Sequence, residues 1–598
     1  MTIMKPMLTT HTSELPRGDQ WLYEPKYDGF RCLLIVTPSH VRLQSRNGRD
    51  MSSQFPEIIE AINNLSFPYP SFTLDSELVY LRSPFCSDFS KVHKRSKLRA
   101  KRTIETHSLT FPCSLIVFDL IERNQESLTH FPLRIRKEYL DNFFSSLSGN
   151  HLIPIQSFTH IEPLLRELSF EAGEGILAKK ITSQWTEGKR SSDWLKWKLP
   201  KQGTVILTHY QSTNQYFTGQ VYKDESLMPV VQVAHGFSEE KRQTLISLFK
   251  QKGKKYGTDG WVLPPGICAD ILSIGINDEN MREPRFSDFN LTTDPLACTF
   301  NQLKKELTLP KDYIELTHPD KPIWDHAVKD DYLFYLQHIA PHLLPFLHNR
   351  VLTVIRFPHG GGDERFYQKN RPESAPEYVT SVIHENIDYI LCNGYDTLLW
   401  LGNQLALEFH IPFQPHTDDC PCEMVIDLDP PSVEEFHLAV KAAKLAKEAL
   451  DFFKLTAFVK TSGGKGLQLY ISLPFNQYSY DETRSFLLFL CEFLCEQRPD
   501  LFTLERLKKK RKGRLYLDYL QHDAGKTIVA PYSTRGDTGY VATPLEWEEL
   551  EDESLHPSQF TIWTVLERLE KRPDPFRRFN DVRVQQPFRE VLERINHQ

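Results

Sequence analysis

At 598 residues the chain is too long for one hydrophobic core, and the length suggests three or four domains. Its 40% hydrophobic and 25% charged residues describe ordinary globular protein, and no apolar run approaches the roughly 18 residues needed to cross a bilayer. A net charge of −7 argues against indiscriminate coating of nucleic acid but leaves room for local phosphate contacts.

The opening "MTIMKPMLTTHTSELPRGDQ" lacks the compact apolar core of a signal peptide. The ten cysteines are scattered without repeated C-x-x-C pairs, so a reduced, cytoplasmic protein is expected. Cys420 and Cys422 are too close for zinc-ligand spacing, although His416 is near, and Cys491 and Cys495 read as core thiols of an apolar helix.

The first 200 residues alternate short β-rich runs such as "CLLIVT" and "SLIVFDLI" with turns and polar helices, ending in "WLKWKLPKQG". Early in this region "EPKYDGFR" sets Lys26 before an Asp-Gly turn, with Arg31 five residues on. "SRNG" adds Arg46 on a turn, "FTLDSELVYL" centres a strand on Glu77, and "SLIVFDLI" carries Phe118 and Asp119. "GEGILAKK" supplies Glu174, Gly175 and Lys179. "GKRSSDWLKWK" contains Arg190 and ends in Lys196 and Lys198, whose period of two sets both ammonium groups on one strand face.

From 203 to about 290, "TVILTHY", "GQVYKD" and "PVVQVAHGF" surround one helical stretch, "SEEKRQTLISLFKQK". Short strands with a single helix suit a small five-stranded barrel of the OB type. "LTTDPLACTFNQLKKELTLP" reads as a linker, and a mixed α/β unit then runs to the C-terminus. The expected divisions are 1–200, a barrel over 201–292, a linker over 293–308, and 309–598. Two basic runs, "KVHKRSKLRAKR" at 91–102 and "KKKRKGR" at 508–514, are the local clusters that phosphates could contact; each also fits a solvated face.

Taken in order, the N-terminal motifs resemble the covalent nucleotidyltransferase superfamily of ATP-dependent DNA ligases, RNA ligases and capping guanylyltransferases. The flanks "YEPKYDGFR" and "GKRSSDWLKWK" look most like bacterial ATP-dependent DNA ligases. The resemblance implies an ATP-grasp-like adenylation domain followed by an OB-fold. It makes Lys26 the nucleophile that takes AMP from ATP, and lysine suits this because burial and neighbouring cations can expose a neutral amine. It also implies Glu24 at the adenine, Glu77 at the ribose, Phe118 stacked on the base, and Arg46 and Arg190 lining the site. Arg31, Lys196 and Lys198 would face the phosphates, with a magnesium ion held by Glu174. Two departures are visible: Ser76 stands where the family commonly has glycine, and "MREPRFSDFN" matches the barrel's closing motif only at Arg282, Pro284 and Phe286.

Further on, "MVIDLDPP" sets Asp427 and Asp429 on one face at a strand end. Carboxylates that close repel unless a divalent cation joins them, and Asp518 in "RLYLDYL" is the natural third. Between them "KTSGGKGLQLY" reads as a strand, a glycine turn and a strand. Its backbone amides could cradle a triphosphate, with Ser462 and Lys465 adding contacts.

With "IRFPHGGGDERFYQK" and "IVAPYSTR", these stretches resemble the primase-like polymerase domain of the bacterial ligase D family, a branch of the archaeo-eukaryotic primases. The resemblance makes Asp427, Asp429 and Asp518 metal ligands, Lys321 and Lys329 binders of a 5′-phosphate, and Phe366 a base-stacking residue. Many relatives have histidine where Gln468 stands.

The expected fold is therefore multidomain α+β, and the expected function is that of a bacterial end-joining enzyme without a phosphoesterase domain. The resemblance implies ATP, Mg2+ or Mn2+, and nucleoside triphosphates with ribonucleotides favoured. It further implies double-stranded DNA ends and nicks as substrates, a bacterial Ku homodimer as partner, no membrane, and a monomer at the nucleoid. The rivals are an RNA ligase or capping enzyme, and an end-binding scaffold with decayed sites.

Overall fold

The computed structural model describes residues 4–147, 149, 151–277 and 279–596. These form two compact units that divide between Tyr313 and Ile314.

The N-terminal unit begins with two sheets. One has four strands in the order Leu8–His11, Arg190–Lys198, Gly175–Lys180, Trp21–Pro25. The other has six, along the path Leu152–Pro154, Ser114–Arg123, Phe72–Val79, Phe30–Thr37, His40–Ser45. A small apolar cluster of Leu33, Phe118, Trp185 and Trp194 joins them, so residues from both sheets meet at one seam.

The strand Arg190–Lys198 is followed almost directly by Lys201–Gln211, which opens a seven-stranded antiparallel sheet. Val205, Phe217, Val231, Phe249 and Ile271 fill its core. The segment expected as a linker over 293–308 is not one. Phe300–Thr308 is a helix capped by Thr299, and its Phe300, Leu303 and Leu307 are buried in that same core. Apolar residues at a spacing of three and four explain this, since such a stripe is stabilised by burial against a neighbour. The unit boundary accordingly falls at 313, five residues beyond the expected 308.

The C-terminal unit centres on a six-stranded sheet in the order Phe502–Thr503, Leu515–Asp518, Glu423–Asp429, Leu467–Ser472, Phe458–Thr461, Pro544–Leu545. A second, four-stranded sheet carries Phe366–Gln368 at its edge. Cys491 is buried on the Tyr480–Gln497 helix, while Cys495 is half-buried. Among the described residues no helix is long and apolar enough to cross a membrane.

Two candidate nucleotidyl-transfer sites

In the N-terminal unit, Lys26 directly follows the strand Trp21–Pro25, and its backbone N–H donates to the Gly175 carbonyl at 2.8 Å. Its ammonium donates to Glu174 Oε2 at 2.5 Å. Two glycines make this approach possible. A Cβ on Gly29 would lie 2.3 Å from the Leu78 carbonyl oxygen, and one on Gly175 would lie 2.2 Å from that of Trp197. Both distances are far inside contact, so these positions exclude side chains.

Register brings the other cations in. Gly175 lies opposite Lys198 and Leu177 opposite Lys196. Burial, then Lys198 and Lys26, hold the Lys196 ammonium below the ordinary lysine range. Lys198 is ion-paired with Glu283, and Arg282 with Asp28, so the expected closing motif does reach the lysine's own turn. Phe286 is instead a core residue of the barrel, stacked 4.0 Å from Phe237.

From the facing sheet, Arg31 lies opposite Glu77 and makes a two-pronged pair with the fully buried Asp75, at 2.6 and 2.7 Å. Trp185 Nε1 also donates to Asp75 at 2.9 Å. Burial raises the Glu77 carboxyl to about 7; Glu174 and Asp28 push the same way, while Arg31 and Lys26 oppose.

Several expected nucleotide contacts are otherwise engaged. Glu24 is completely buried and ion-paired with Lys137 and with Lys179, the latter at 2.6 Å. Burial lowers Lys179 to about 8. Phe118 is 3% exposed, and its ring carries the Arg31 guanidinium at 4.3 Å and the Lys179 ammonium at 4.2 Å. A base can stack there only where one of these cations moves. Arg190 donates to the Thr9 carbonyl at 2.5 Å and ties two strands together, and Arg46 is exposed on its turn. Asp75, Lys137 and Lys179 were not assigned from sequence. Asp75 was findable, since it shares a strand face with Glu77 at a spacing of two. Lys137 gives no local signal.

In the C-terminal unit, four polar side chains form a row across adjacent strands. Asp518 lies opposite Asp427, Asp427 opposite Gln468, and Gln468 opposite Lys460. Gln468 donates to Asp427 Oδ1 at 3.0 Å, while its own Oε1 is buried without a partner. Burial raises Asp427 to about 6, with Asp429 and Asp518 adding to the rise against the Gln468 bond.

Asp429 is paired with Lys465 at 2.9 Å and with Arg511 at 2.8 Å. Thus the second basic run turns one cation inward while Lys508, Lys509 and Lys510 stay exposed. Asp518 accepts from the Tyr516 hydroxyl at 3.1 Å and the Gln521 N–H at 3.0 Å. Among the described residues no three His, Cys, Asp or Glu side chains are closed into a metal cluster. The donor set still fits a divalent cation: three hard oxygen ligands on two neighbouring strands, with Asp518 directly opposite Asp427.

The glycine turn differs from expectation. Ser462 Oγ accepts from the Gly464 N–H at 3.2 Å and the Gly466 N–H at 3.1 Å. It braces its own turn, so those amides are already engaged. The two lysines expected at a 5′-phosphate are neighbours, since the Lys329 N–H donates to the Lys321 carbonyl at 2.9 Å. Lys329 is nevertheless 3% exposed, bonded to Thr317 and lowered to about 8 by burial and then Lys321. Lys321 donates to the Pro358 carbonyl. Phe366 is 42% exposed with Arg356 5.1 Å from its ring, an open stacking surface.

Comparison with known proteins matches residues 6–198 to the ATP dependent DNA ligase domain and 328–576 to the LigD primase-polymerase domain. The chain is 40% identical over 611 residues to the bifunctional non-homologous end joining protein LigD of Bacillus subtilis, covering 100% of this chain and 98% of that protein. It is 25% identical to the multifunctional LigD of Pseudomonas aeruginosa, covering 95% of this chain and 71% of the relative. Among solved structures, the polymerase domain of Mycobacterium tuberculosis Ligase D in complex with DNA aligns with a TM-score of 0.41 at 28% identity, over 44% of this chain and 97% of that one.

Proposed function

The chain belongs to the LigD family of bifunctional non-homologous end-joining proteins, an ATP-dependent DNA ligase domain followed by a primase-polymerase domain, and from that premise we propose how its residues work. The observation that carries the reading is Lys26, anchored through its backbone at Gly175 and ringed by Glu174, Lys196 and, through Asp28, Arg282.

Lys26 gives up a proton and attacks the α-phosphate of ATP, so that a P–N bond forms as pyrophosphate leaves. Glu174, at 2.5 Å, is placed to orient the amine and to hold the departing proton. Lys196 and Lys198 meet the charge on the phosphoryl oxygens, and Lys198 exchanges Glu283 for them. The AMP then passes to the 5′-phosphate of a DNA nick, and the 3′-hydroxyl displaces it. Glu24, Phe118, Arg46 and Arg190 remain candidates at the nucleotide, with Glu24 acting through Lys179.

In the second unit, Asp427, Asp429 and Asp518 would hold Mg2+ or Mn2+, which supplies charge neutralisation for nucleotide addition at a 3′-hydroxyl. Gln468 fixes Asp427; Lys465 and Arg511 fix Asp429. Nucleoside triphosphates, ribonucleotides foremost, are the substrates of this unit, with Lys321, Lys329 and Phe366 on the DNA side. Recruitment by a bacterial Ku homodimer at double-stranded ends belongs to the same reading. So does a place at the nucleoid, where the unbridged cysteines stay reduced.

The test uses α-labelled ATP and GTP with nicked and gapped duplexes. Label is expected on the protein from ATP only and absent in Lys26→Ala, which still fills gaps. Asp427→Ala is expected to keep the label and lose extension. Labelling from GTP would favour the capping enzyme, and neither activity despite end binding would leave a scaffold.

A further inference from the structure

The basic run at 91–102 has a structure that the two reactions do not use. It forms two helices, Phe89–Lys97 and Lys101–Thr110, joined by a short turn. One of its cations is spent inward. Arg95 is fully buried, bonded to Glu57 at 2.8 Å, to His107 Nδ1 at 2.6 Å, and to the carbonyls of His107 and Phe111. This pins the first helix to the second and fixes the spacing of what lies outside.

Outside, Lys94, Lys97, Arg99, Lys101 and Arg102 are all exposed. Lys101 has Glu105 as a helical neighbour at 3.8 Å, with both side chains largely in water, where such pairs are weak. Between the helices lies an open cavity of about 420 Å³ whose wall includes Lys94, Arg102, Thr103, Thr106 and His107. His107 takes its Arg95 bond on Nδ1, so Nε2 carries the hydrogen, and that buried nitrogen has no partner. Burial and the nearby Arg95 and Lys94 lower the ring to about 4, which keeps it a neutral donor. Two cations, Lys94 and Arg102, on the wall of one concavity match a phosphate group.

The position of this face is set by the nick-sealing site. Asp28, in the turn beside Lys26, donates its N–H to Ser87 Oγ at 2.8 Å, and Asp88 next in sequence caps the first helix. Phe89 packs on Phe30 at 5.2 Å. The helices therefore lead away from the lysine's own turn, and each is about 14 Å long, enough to follow several phosphates of one strand.

We propose that the helix pair Phe89–Thr110 binds the phosphodiester backbone of duplex DNA beside the nick, with Lys94 and Arg102 holding one phosphate at the cavity and Lys97, Arg99 and Lys101 lying along the strand. The proposal rests on the ligase reading of this unit. It separates from the catalytic chemistry because none of these side chains touches the Lys26 cluster.

The test measures binding of the full chain to a nicked duplex by fluorescence anisotropy between about 50 and 250 mM salt. Lys94→Gln/Arg102→Gln is expected to weaken binding about tenfold or more at low salt. It is also expected to reduce the slope of log affinity against log salt by about 1, near 0.9 for the one phosphate charge that is no longer neutralised. Lys101→Gln, at a side chain 91% exposed where folding is not at stake, is expected to reduce the slope by about 1. Lys94→Arg/Arg102→Lys is expected to restore it. Slopes and affinities equal to wild type in both Gln variants overturn the proposal. A wild type that neither binds nor seals the nick overturns the ligase reading and this proposal with it.

Discussion

Glu77 and Asp75 share one strand face and face opposite fates. Asp75 is saturated by Arg31 and Trp185, whereas desolvation raises the Glu77 carboxyl to about 7 against the pull of Arg31 and Lys26. An acid whose pKa is higher folded than unfolded retains its proton in the native state over a range where the unfolded chain has lost it. Stability attributable to Glu77 therefore falls as pH rises from about 4.5 to about 7, and is level above. Thermal melts of wild type and Glu77→Gln across that window should converge at the acid end and separate toward neutrality, with the variant the more stable. Asp75→Asn acts the other way. It leaves Arg31 without its two-pronged partner in a buried place, an expected loss of about 3–5 kcal/mol measured by denaturant unfolding.

Strand register and glycine packing decide what each element can present. Gly466 is the clearest case, because a Cβ there would lie 2.1 Å from the Leu428 carbonyl oxygen, between Asp427 and Asp429. Gly466→Ala is expected to spread the strand pair, lower nucleotide addition at least tenfold and leave lysyl-AMP formation unchanged, as gap-filling and labelling assays would read separately. Glycine in the motif was visible in sequence, but its reason was not a free phosphate cradle. Ser462 occupies the amides of that turn, and the glycine serves close packing against the strand that carries Asp427 and Asp429.

Across the whole molecule, two units each carry one chemistry, and within the first the barrel closes on the adenylation sheets through charge. Arg282 of the barrel pairs with Asp28, one turn from Lys26, and Glu283 pairs with Lys198. Arg282→Ala should slow self-adenylation about tenfold in single-turnover labelling, while extension by the second unit continues at the wild-type rate. The same scale corrects the linker. Phe300, Leu303 and Leu307 belong to the barrel core, so cutting or lengthening the chain within 300–308 would unfold the barrel rather than loosen a tether.

Local spacing in the sequence singles out the candidate groups for nucleotidyl transfer: Lys26 with its Asp-Gly turn, the paired lysines 196 and 198, and three aspartates on strands, because that chemistry calls for such groups at fixed spacings. The sequence also determined the order ligase, barrel, polymerase. Which charges are already spent follows from contacts between distant parts of the chain. Glu24 is closed by Lys137 and Lys179, Phe118 is covered by two cations, Asp429 is held by Arg511, and Arg95 is turned inward to pin its helix. Apart from the bonds Arg95 makes nearby, these pairings join residues 38 to 155 positions apart. Burial forces every such charge to find a partner wherever the fold places one. Local spacing marks the candidate groups, but long-range packing sets which of them already have a partner.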